Sequence, residues 1–478
     1  MKKLIILLFA VSCGMPVISA QDPLNGYLET AAGNSPAVMA ALHAYEAALQ
    51  QIPQAGAYED PRLDMGFFLQ PMELVDGRQI SQFQLMQMFP WFGTKKAART
   101  EARHMAAMSF ERFRETRDNL FLEVRRQWYV LNRLQQRLIN NRENTALLKQ
   151  LETLAVRKFS SGGAASGDAA PVDAVSVDAG GSAVPGGSAS MSGMSIRAMP
   201  GKNDASMSGG SGRMTMTASS GGLVEVLRLQ LEAAELESNA ESILSEITAE
   251  KARFNALLNR PPGHEITVPD TFALTPYLLD IDAAMRLITE QNPMLGMYRE
   301  ESLAYEAKEA MSRKMGYPML GIGLQYMLIG KTNAEAGMTG MGPAMNGKDM
   351  FMPMLSVSIP VFRGKYRAAQ KEAQFRQQAA QAQHDDALNS LEAELYRLRH
   401  ELDDAQRRIS LYRRQAALAR TTYDLLVQEF AAGKSDLGTI IQVQRQLSDY
   451  RLKESEAIAD YHTIAATARK MISSNPDA

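Results

Sequence analysis

The chain has 478 residues, of which 45% are hydrophobic and 22% are charged, and its formal net charge is −2. This length provides enough material for two or three domains, and a near-zero charge without a basic run gives no electrostatic basis for binding nucleic acid. The sequence contains no phosphate-binding loop, no catalytic Ser/His/Asp grouping and no Cys/His metal spacing, so we expect neither an enzyme nor a resident cofactor.

The N-terminus is predicted to be a secretory signal peptide over residues 1–20. Two lysines precede an apolar run from Leu4 to Val11, and Ala20 is a small residue at the expected cleavage position. The alternative is a lipoprotein signal cut before Cys13, which would attach the mature chain to lipid. Cleavage after Ala20 would leave a mature chain without cysteine, and therefore without thiol or disulfide chemistry.

The mature sequence contains one pattern twice. The first repeat, 21–260, is predicted to contain strands at about 62–70 and 79–89 and long helices at about 94–159 and 222–258. A linker, 261–290, leads to the second repeat, 291–472. That repeat is predicted to contain strands at about 318–329 and 351–361 and long helices at about 363–431 and 436–472, followed by a tail, 473–478.

Two different periods distinguish the strands from the helices. The apolar positions of the first strand in the second repeat are Leu320, Ile322, Leu324, Tyr326 and Leu328. Between them stand the polar or small positions Met319, Gly321, Gly323, Gln325 and Met327. This period of two predicts a strand. The helix after Pro360 instead places apolar residues at alternating spacings of four and three, from Leu391 to Phe430, which is the pattern of coiled-coil packing.

The first repeat carries an insertion, residues 163–221, that the second repeat lacks. Gly162 and Gly433 occupy equivalent positions 271 residues apart, whereas Gln230 and Gln446 are 216 residues apart, so the first repeat contains 55 additional residues. The insertion is rich in Gly and Ser and is predicted to be disordered.

The four strands, in an exported chain, favour a membrane β-barrel. The alternative is a small soluble sheet at the end of a coiled coil. A membrane barrel needs at least about eight strands because open sheet edges are not tolerated in lipid. Several chains would therefore have to share one barrel.

The duplicated strand–strand–long-helix plan resembles the TolC-type outer-membrane efflux factor family, including its copper/silver or heavy-metal channels. The corners FPWFGTKKAA and IPVFRGKYRAA and the turn FAAGKSDLGTIIQVQRQL carry the resemblance, which covers about residues 25–472. It implies a mainly α fold with a β-barrel portion. It also implies a homotrimer with a twelve-strand barrel in outer-membrane lipid and an α-helical tunnel across the periplasm. The implied partners are a periplasmic membrane-fusion adaptor and an inner-membrane pump, with the RND type favoured.

The resemblance places the periplasmic tip of the channel at two helix–helix turns, which correspond here to Gly162 and Gly433. Members of the family narrow this tip with acidic side chains just before the turn, and Asp424 matches such a position. Like charges on a threefold axis would attract cations. The alternative is an aspartate on a solvated helix face. Thr153 occupies the equivalent position in the first repeat and supplies no second acidic ring.

Methionines cluster near both predicted ends of the channel. Six lie in the insertion: Met191, Met194, Met199, Met207, Met214 and Met216. Six lie between or on the strands of the second repeat: Met338, Met341, Met345, Met350, Met352 and Met354. Thioethers are soft ligands that favour Cu(I) and, by the same chemistry, Ag(I), so these residues are hypothetical contacts for a soft metal ion in transit. The alternatives are an adaptor-contact loop and methionine used as a flexible apolar filler.

These observations lead to the hypothesis of a passive outer-membrane duct in a tripartite efflux system, with Cu(I) or Ag(I) as the favoured cargo. One alternative is a general drug or type I protein-secretion channel. The alternative of another class is a periplasmic coiled-coil adaptor or scaffold whose strands form a soluble domain.

Overall fold

The computed structural model describes residues 23–74, 77–162, 218–331, 347–432 and 434–473. The predicted signal peptide, 1–20, lies outside these ranges, as does the part of the predicted insertion at 163–217. The insertion was predicted to continue to residue 221, whereas the structure already forms a helix from Ala218.

The described residues form eight helices and four strands. In the first half these are α1 (Pro23–Asn34), α2 (Pro36–Gly56), β1 (Arg62–Leu74), β2 (Gly77–Phe89), α3 (Thr94–Gly162) and α4 (Ala218–Leu257). In the second half they are α5 (Ile281–Gln291), α6 (Pro293–Met315), β3 (Met319–Gly330), β4 (Met350–Ser358), α7 (Arg363–Ala431) and α8 (Leu437–Ile472). The order helix, helix, strand, strand, helix, helix therefore occurs twice.

A residue–proline pair separates the two short helices of each half. Ser35 precedes Pro36 between α1 and α2, and Asn292 precedes Pro293 between α5 and α6. Proline disfavours a helical conformation in the residue before it but fits the first turn of the next helix, so each pair ends one helix and starts another. Asn292 also caps α6, because its Oδ1 accepts hydrogen bonds from the backbone N–H groups of Met294, at 3.0 Å, and Leu295, at 3.4 Å.

The chain forms two compact units. Unit 1 comprises residues 1–139, 242–415 and 449–478, and unit 2 comprises residues 140–241 and 416–448. Both long helices, α3 and α7, contribute to each unit, and each unit has its own hydrophobic core.

Aromatic and leucine side chains form the core of unit 1. The ring of Tyr27 on α1 packs against Trp128 on α3, at a centroid distance of 5.5 Å, and against Phe254 on α4, at 5.2 Å. A second cluster joins α5, α7 and α8. Five heptad positions of α7 in this unit are at most 4% exposed: Leu395, Leu398, Leu402, Ala405 and Ile409. Leu391 and Tyr412, at the two ends of this series, are partly buried against the same cluster. The predicted spacing of four and three is thus the buried stripe of the helix.

The core of unit 2 lies between the ends of the long helices that belong to it. Leu148 and Leu151 on α3 pack with Leu229 on α4 and Ile440 on α8, and all four are at most 1% exposed. The heptad stripe of α7 continues here through Phe430, which is buried in the same cluster.

The four strands form one antiparallel sheet in unit 1 with the order β1-β2-β3-β4. The strands of the two halves therefore meet at the β2–β3 pair, and β1 and β4 are the edges. β1 extends beyond the predicted end near residue 70 because pairing with β2 resumes at Met72 after a register irregularity. β4 ends at Ser358, short of the predicted 361, because Pro360 has no N–H to donate to a ladder.

Among the helices of the described residues, none combines the length and the apolar character that crossing a membrane requires.

Candidate functional site

One face of the sheet is polar, and the strand register determines which residues share it. Residues opposite each other on neighbouring strands point to the same side. This face carries Arg62, Asp64 and Gly66 from β1; Gln82, Gln84, Met86 and Met88 from β2; Gly321, Gly323, Gln325 and Met327 from β3; and Met350, Met352, Met354 and Ser356 from β4. It therefore combines amides, a few charges and a large number of thioethers.

The opposite face of the sheet is apolar and uncovered. Its side chains that are more than half exposed are Leu63, Met65, Phe67, Ile322, Phe351 and Leu355. An apolar surface of this extent on a water-soluble domain would be unusual, because large exposed apolar patches mark contacts with lipid or with other proteins.

Two thioethers and a hydroxyl converge above Gly321 on the polar face. Ser356 Oγ lies 3.6 Å from Met86 Sδ and 3.6 Å from Met88 Sδ. A methyl group on Gly321 would lie 2.5 Å from Met88 Sδ and 3.4 Å from Met86 Sδ, with Ser356 Oγ in contact as well. Because residue 321 has no side chain, a small space remains above it, and Met86 Sδ, Met88 Sδ and Ser356 Oγ all border this space.

A charged cavity of about 460 Å³ adjoins these thioethers. Its lining consists of Glu59, Asp60, Arg62, Asp64, Gln84, Met86 and Met88. Arg62 Nε donates a hydrogen bond to Asp64 Oδ1 at 3.1 Å. Three carboxylates against one guanidinium give the cavity a negative formal charge beside the two sulfur atoms.

The structure describes only part of the predicted methionine set. Met350, Met352 and Met354 lie on β4, where the register places them on the polar face. The other three methionines of that cluster, and all six of the insertion, lie outside the described residues. Met86 and Met88 were missed in the sequence because β2 alternates less regularly than β3. Met86 and Met88 continue the series of alternate positions that begins with Gln82 and Gln84, and this period of two could have predicted that all four share the polar face of the strand.

Aromatic side chains surround the corner between β2 and α3. The ring of Trp91 stacks on Tyr317, with centroids 5.4 Å apart. Phe92, in the same corner, is 81% exposed, and Phe362, in the corresponding corner between β4 and α7, is 86% exposed. Exposed aromatic residues at the end of a sheet are typical of membrane–water interfaces.

Two of the predicted tip residues, Gly162 and Asp424, lie in unit 2. Gly162 is the last residue of α3, and Gly433 lies outside the described residues. Asp424 is half exposed on α7, and its Oδ2 accepts a hydrogen bond from Arg420 Nε at 3.1 Å. The carboxylate therefore has a cationic partner one helical turn away in the same chain.

A pair of carboxylates, Glu225 and Asp436, also lies in unit 2. Burial raises the pKa of Glu225 above its ordinary value of 4.5, and the adjacent carboxylate of Asp436 raises it further. Asp436 Oδ2 also accepts a hydrogen bond from the Gly438 N–H at 3.1 Å, at the start of α8. Burial and the adjacent carboxylate both favour the protonated form of Glu225 in the folded chain.

Within the described ranges, no three or more His, Cys, Asp or Glu side chains converge as metal ligands.

Solved structures of low sequence identity share this fold over most of the chain. VceC of Vibrio cholerae has a TM-score of 0.66 and 14% identity, covering 94% of this chain and 96% of its own. CusC has a TM-score of 0.64 and 12% identity, covering 94% and 91%. The MtrE channel of Neisseria gonorrhoeae, in its open state, has a TM-score of 0.60 and 12% identity, covering 94% and 88%.

Sequence comparison finds one family model, which matches the second half of the chain. No curated protein sequence matches the chain. Residues 285–473 match the family described as outer membrane efflux protein. This segment begins within α5 and ends just after α8, so it contains β3, β4 and both long helices of the second half. The resemblance to TolC-type channels is thereby confirmed: residues 285–473 are similar to the outer membrane efflux protein family, and the expected outer-membrane localisation agrees with this match.

Proposed function

We propose that three copies of this chain form the outer-membrane channel of a tripartite efflux system. The observation that carries the proposal is the sheet, which has one exposed apolar face, one polar face and two free edges at β1 and β4. Four strands cannot close on themselves, whereas three copies would supply twelve strands and pair β4 of one copy with β1 of the next. The apolar face would then contact lipid and the polar face would line the channel.

Exposed leucines on the helices of unit 2 support the trimer. Leu418 and Leu425 on α7 are 63% and 56% exposed, and they lie seven residues apart on the side of the helix away from its buried stripe. Leu227 and Leu231 on α4 are also more than half exposed. Leucines at such spacings favour lateral packing against another helix, which neighbouring copies would provide.

The membrane topology is tested by arginine substitution on the two faces of β3. Ile322→Arg places a charge on the exposed apolar face and is expected to cost up to about 2–4 kcal/mol of insertion free energy if the residue lies near the bilayer centre. Gln325→Arg, on the polar face of the same strand, is the control and should insert normally. We expect heat-labile oligomers in outer-membrane fractions for the control and their loss for the first variant. Equal behaviour, or a soluble periplasmic product for the parent chain, would favour the adaptor or scaffold alternative.

We propose Cu(I) or Ag(I) as the cargo, on the basis of the thioethers in the insertion and on the polar face. Weak, mobile thioether contacts favour soft ions over hard ones without trapping them. Replacing the six insertion methionines with leucine should lower copper and silver tolerance and leave dye export unchanged. A chain with six serines of the same segment replaced by alanine is the control. Unchanged metal tolerance, or a parallel loss of dye export, would favour the general drug or protein-secretion channel.

The entrance of the duct is proposed to lie at the turns marked by Gly162 and Gly433, where an adaptor and an RND-type pump would dock. Three copies of Asp424 would form an acidic ring there. Because Arg420 accompanies each carboxylate at 3.1 Å, the ring would carry less net negative charge than three isolated aspartates. Asp424→Asn should therefore reduce cation selectivity in single-channel recordings, and Arg420→Gln should increase it. If neither variant changes selectivity, the aspartate belongs to a solvated helix face.

A further inference from the structure

We propose that Met86, Met88 and Ser356 form a binding site for a soft monovalent cation, Cu(I) or Ag(I), in the space above Gly321. The inference rests on the proposed function, because the ion is the proposed cargo. It adds to that function a defined site on the polar face of the sheet, separate from the insertion and from the second-repeat methionine cluster.

The geometry supports a binding point, since three heteroatoms from two strands are directed at one glycine of the strand between them. Ser356 Oγ lies 3.6 Å from each sulfur, so the hydroxyl is in contact with both thioethers. Any side chain at residue 321 would collide with Met88 Sδ, at 2.5 Å from the position of its first carbon. Gly323, the next residue of β3 on this face, is likewise overlaid by Met86, with Sδ at 3.4 Å from the corresponding position. The two glycines thus allow the sulfur atoms to lie close to the sheet.

The chemistry of the donors determines the ion. Two neutral thioethers favour soft ions such as Cu(I) and Ag(I), whereas Mg²⁺ and Ca²⁺ require several hard oxygen ligands. A donor set without a formal charge should hold a monovalent ion weakly, as a transport path requires. The adjoining cavity, with Glu59, Asp60 and Asp64 against Arg62, would raise the local cation concentration.

Apolar filling does not account for this arrangement. Methionine serves as a filler inside cores, where it occupies irregular gaps. Met86 and Met88 instead lie on a sheet face that also carries glutamines and charged residues, and both line a polar cavity.

The test is a titration of the full-length protein in detergent with silver nitrate, followed through isotope-labelled methionine methyl groups by NMR. The Met86 and Met88 signals are assigned by the loss of each in Met86→Leu and Met88→Leu. We expect both signals to shift saturably with Ag(I) and to remain in place with Mg²⁺. Gly321→Ala should weaken the binding on the order of 10- to 100-fold, because the new methyl group occupies the binding point.

Gly66→Ala is the matched control, since Gly66 lies on the same face and its methyl group would approach only Gln82 Cγ, at 3.9 Å. It should bind Ag(I) like the parent chain. If Gly321→Ala fails to assemble, Ser356→Ala, which removes the third heteroatom without adding an atom, should weaken the saturable silver-induced shifts of Met86 and Met88.

The inference is overturned if Ag(I) leaves both signals unshifted or if Gly321→Ala binds as tightly as Gly66→Ala. These outcomes are distinct from a failure of the proposed cargo. Loss of metal tolerance in the insertion variants with no shift at Met86 and Met88 would refute only this site. Saturable binding here, with metal tolerance independent of the insertion, would support the site and refute the role of the insertion.

Discussion

Asn292 connects α6 and α8 in unit 1 through the oxygen and the nitrogen of its side-chain amide. Its Oδ1 caps α6, and its Nδ2 donates a hydrogen bond of 2.9 Å to the carbonyl of Met471, in the last turn of α8. That carbonyl has no intrahelical partner because it lies among the last four of its helix. Asn292→Ala should cost about 1 kcal/mol for the lost cap and about 1–3 kcal/mol for the buried carbonyl left unsatisfied. The total of about 2–4 kcal/mol corresponds to roughly a 30- to 1,000-fold change in the unfolding equilibrium constant.

Ser35 provides the matched control, because it occupies the equivalent position before Pro36 but makes no side-chain capping bond. Ser35→Ala should therefore change the free energy of unfolding by less than about 0.5 kcal/mol. Asn292→Ser retains an acceptor for the cap and should recover about 1 kcal/mol of the loss. The assay is guanidinium unfolding of the detergent-solubilised protein, followed by helical circular dichroism and compared at equal m values. Equal costs for Asn292→Ala and Ser35→Ala would show that the amide contributes nothing beyond the backbone turn.

Three further substitutions test the electrostatics and the core. The pKa of Glu225 is above 4.5 in the folded state, so the folded state binds more protons than the unfolded state. The protonated carboxyl therefore stabilises the folded state at pH values below the unfolded pKa. This contribution to the free energy of unfolding is lost as the pH rises through the folded pKa. Glu225→Gln should therefore increase the thermal midpoint more at neutral pH than at pH values below 4.5, and a pH-independent difference would contradict this. Arg445→Lys removes one of the two contacts with Glu232 and, because the Arg445 side chain is 62% exposed, should cost up to about 1 kcal/mol in denaturant unfolding. Lys453→Arg, at a helix pair in which both side chains are exposed, should change the free energy of unfolding by less than about 0.2 kcal/mol. Leu395→Ala should cost about 2–5 kcal/mol in the same assay, because the residue is fully buried; a cost below about 1 kcal/mol would mean that the α7 stripe is loosely packed.

The helices of the fold follow from local patterns in the sequence. The stripe of α7 is visible as a heptad because every buried position recurs at a fixed spacing, and the helix junctions are visible because Pro36 and Pro293 restrict the residues before them. The neighbours of each strand are not visible in this way. Pairing of β2 with β3 joins residues that are far apart in the chain, and no local pattern specifies such a partner.

The residues of the polar face could not be predicted as one site, because strand pairing is not visible in the sequence. The sequence shows that Gly321 and Gly323 alternate with apolar residues, which predicts a strand. Only the register shows that Met86 and Met88 lie over these glycines. A cluster assembled from three strands cannot be found from spacing within one of them.

The net charge at the predicted acidic ring could not be predicted from Asp424 alone. Asp424 is visible in the sequence as a carboxylate before a glycine turn. Its partner, Arg420, is also visible at a spacing of four, which allows a helical ion pair. The net charge that the turn presents depends on both side chains, and it can be judged only once the helix and the rotamers are known.

The strand order has a consequence for how such a channel can be assembled. Each half of the chain contributes one hairpin, and the β2–β3 contact joins a hairpin of the first half to a hairpin of the second. In the proposed trimer, the contact between β4 and β1 of the next copy would also join a second-half hairpin to a first-half hairpin. Every contact between neighbouring hairpins would then join a first-half hairpin to a second-half hairpin, both within one chain and between two copies. The segment 258–280, between α4 and α5, would then serve only to tether the two halves, so the two halves produced as separate chains should still alternate around the same ring.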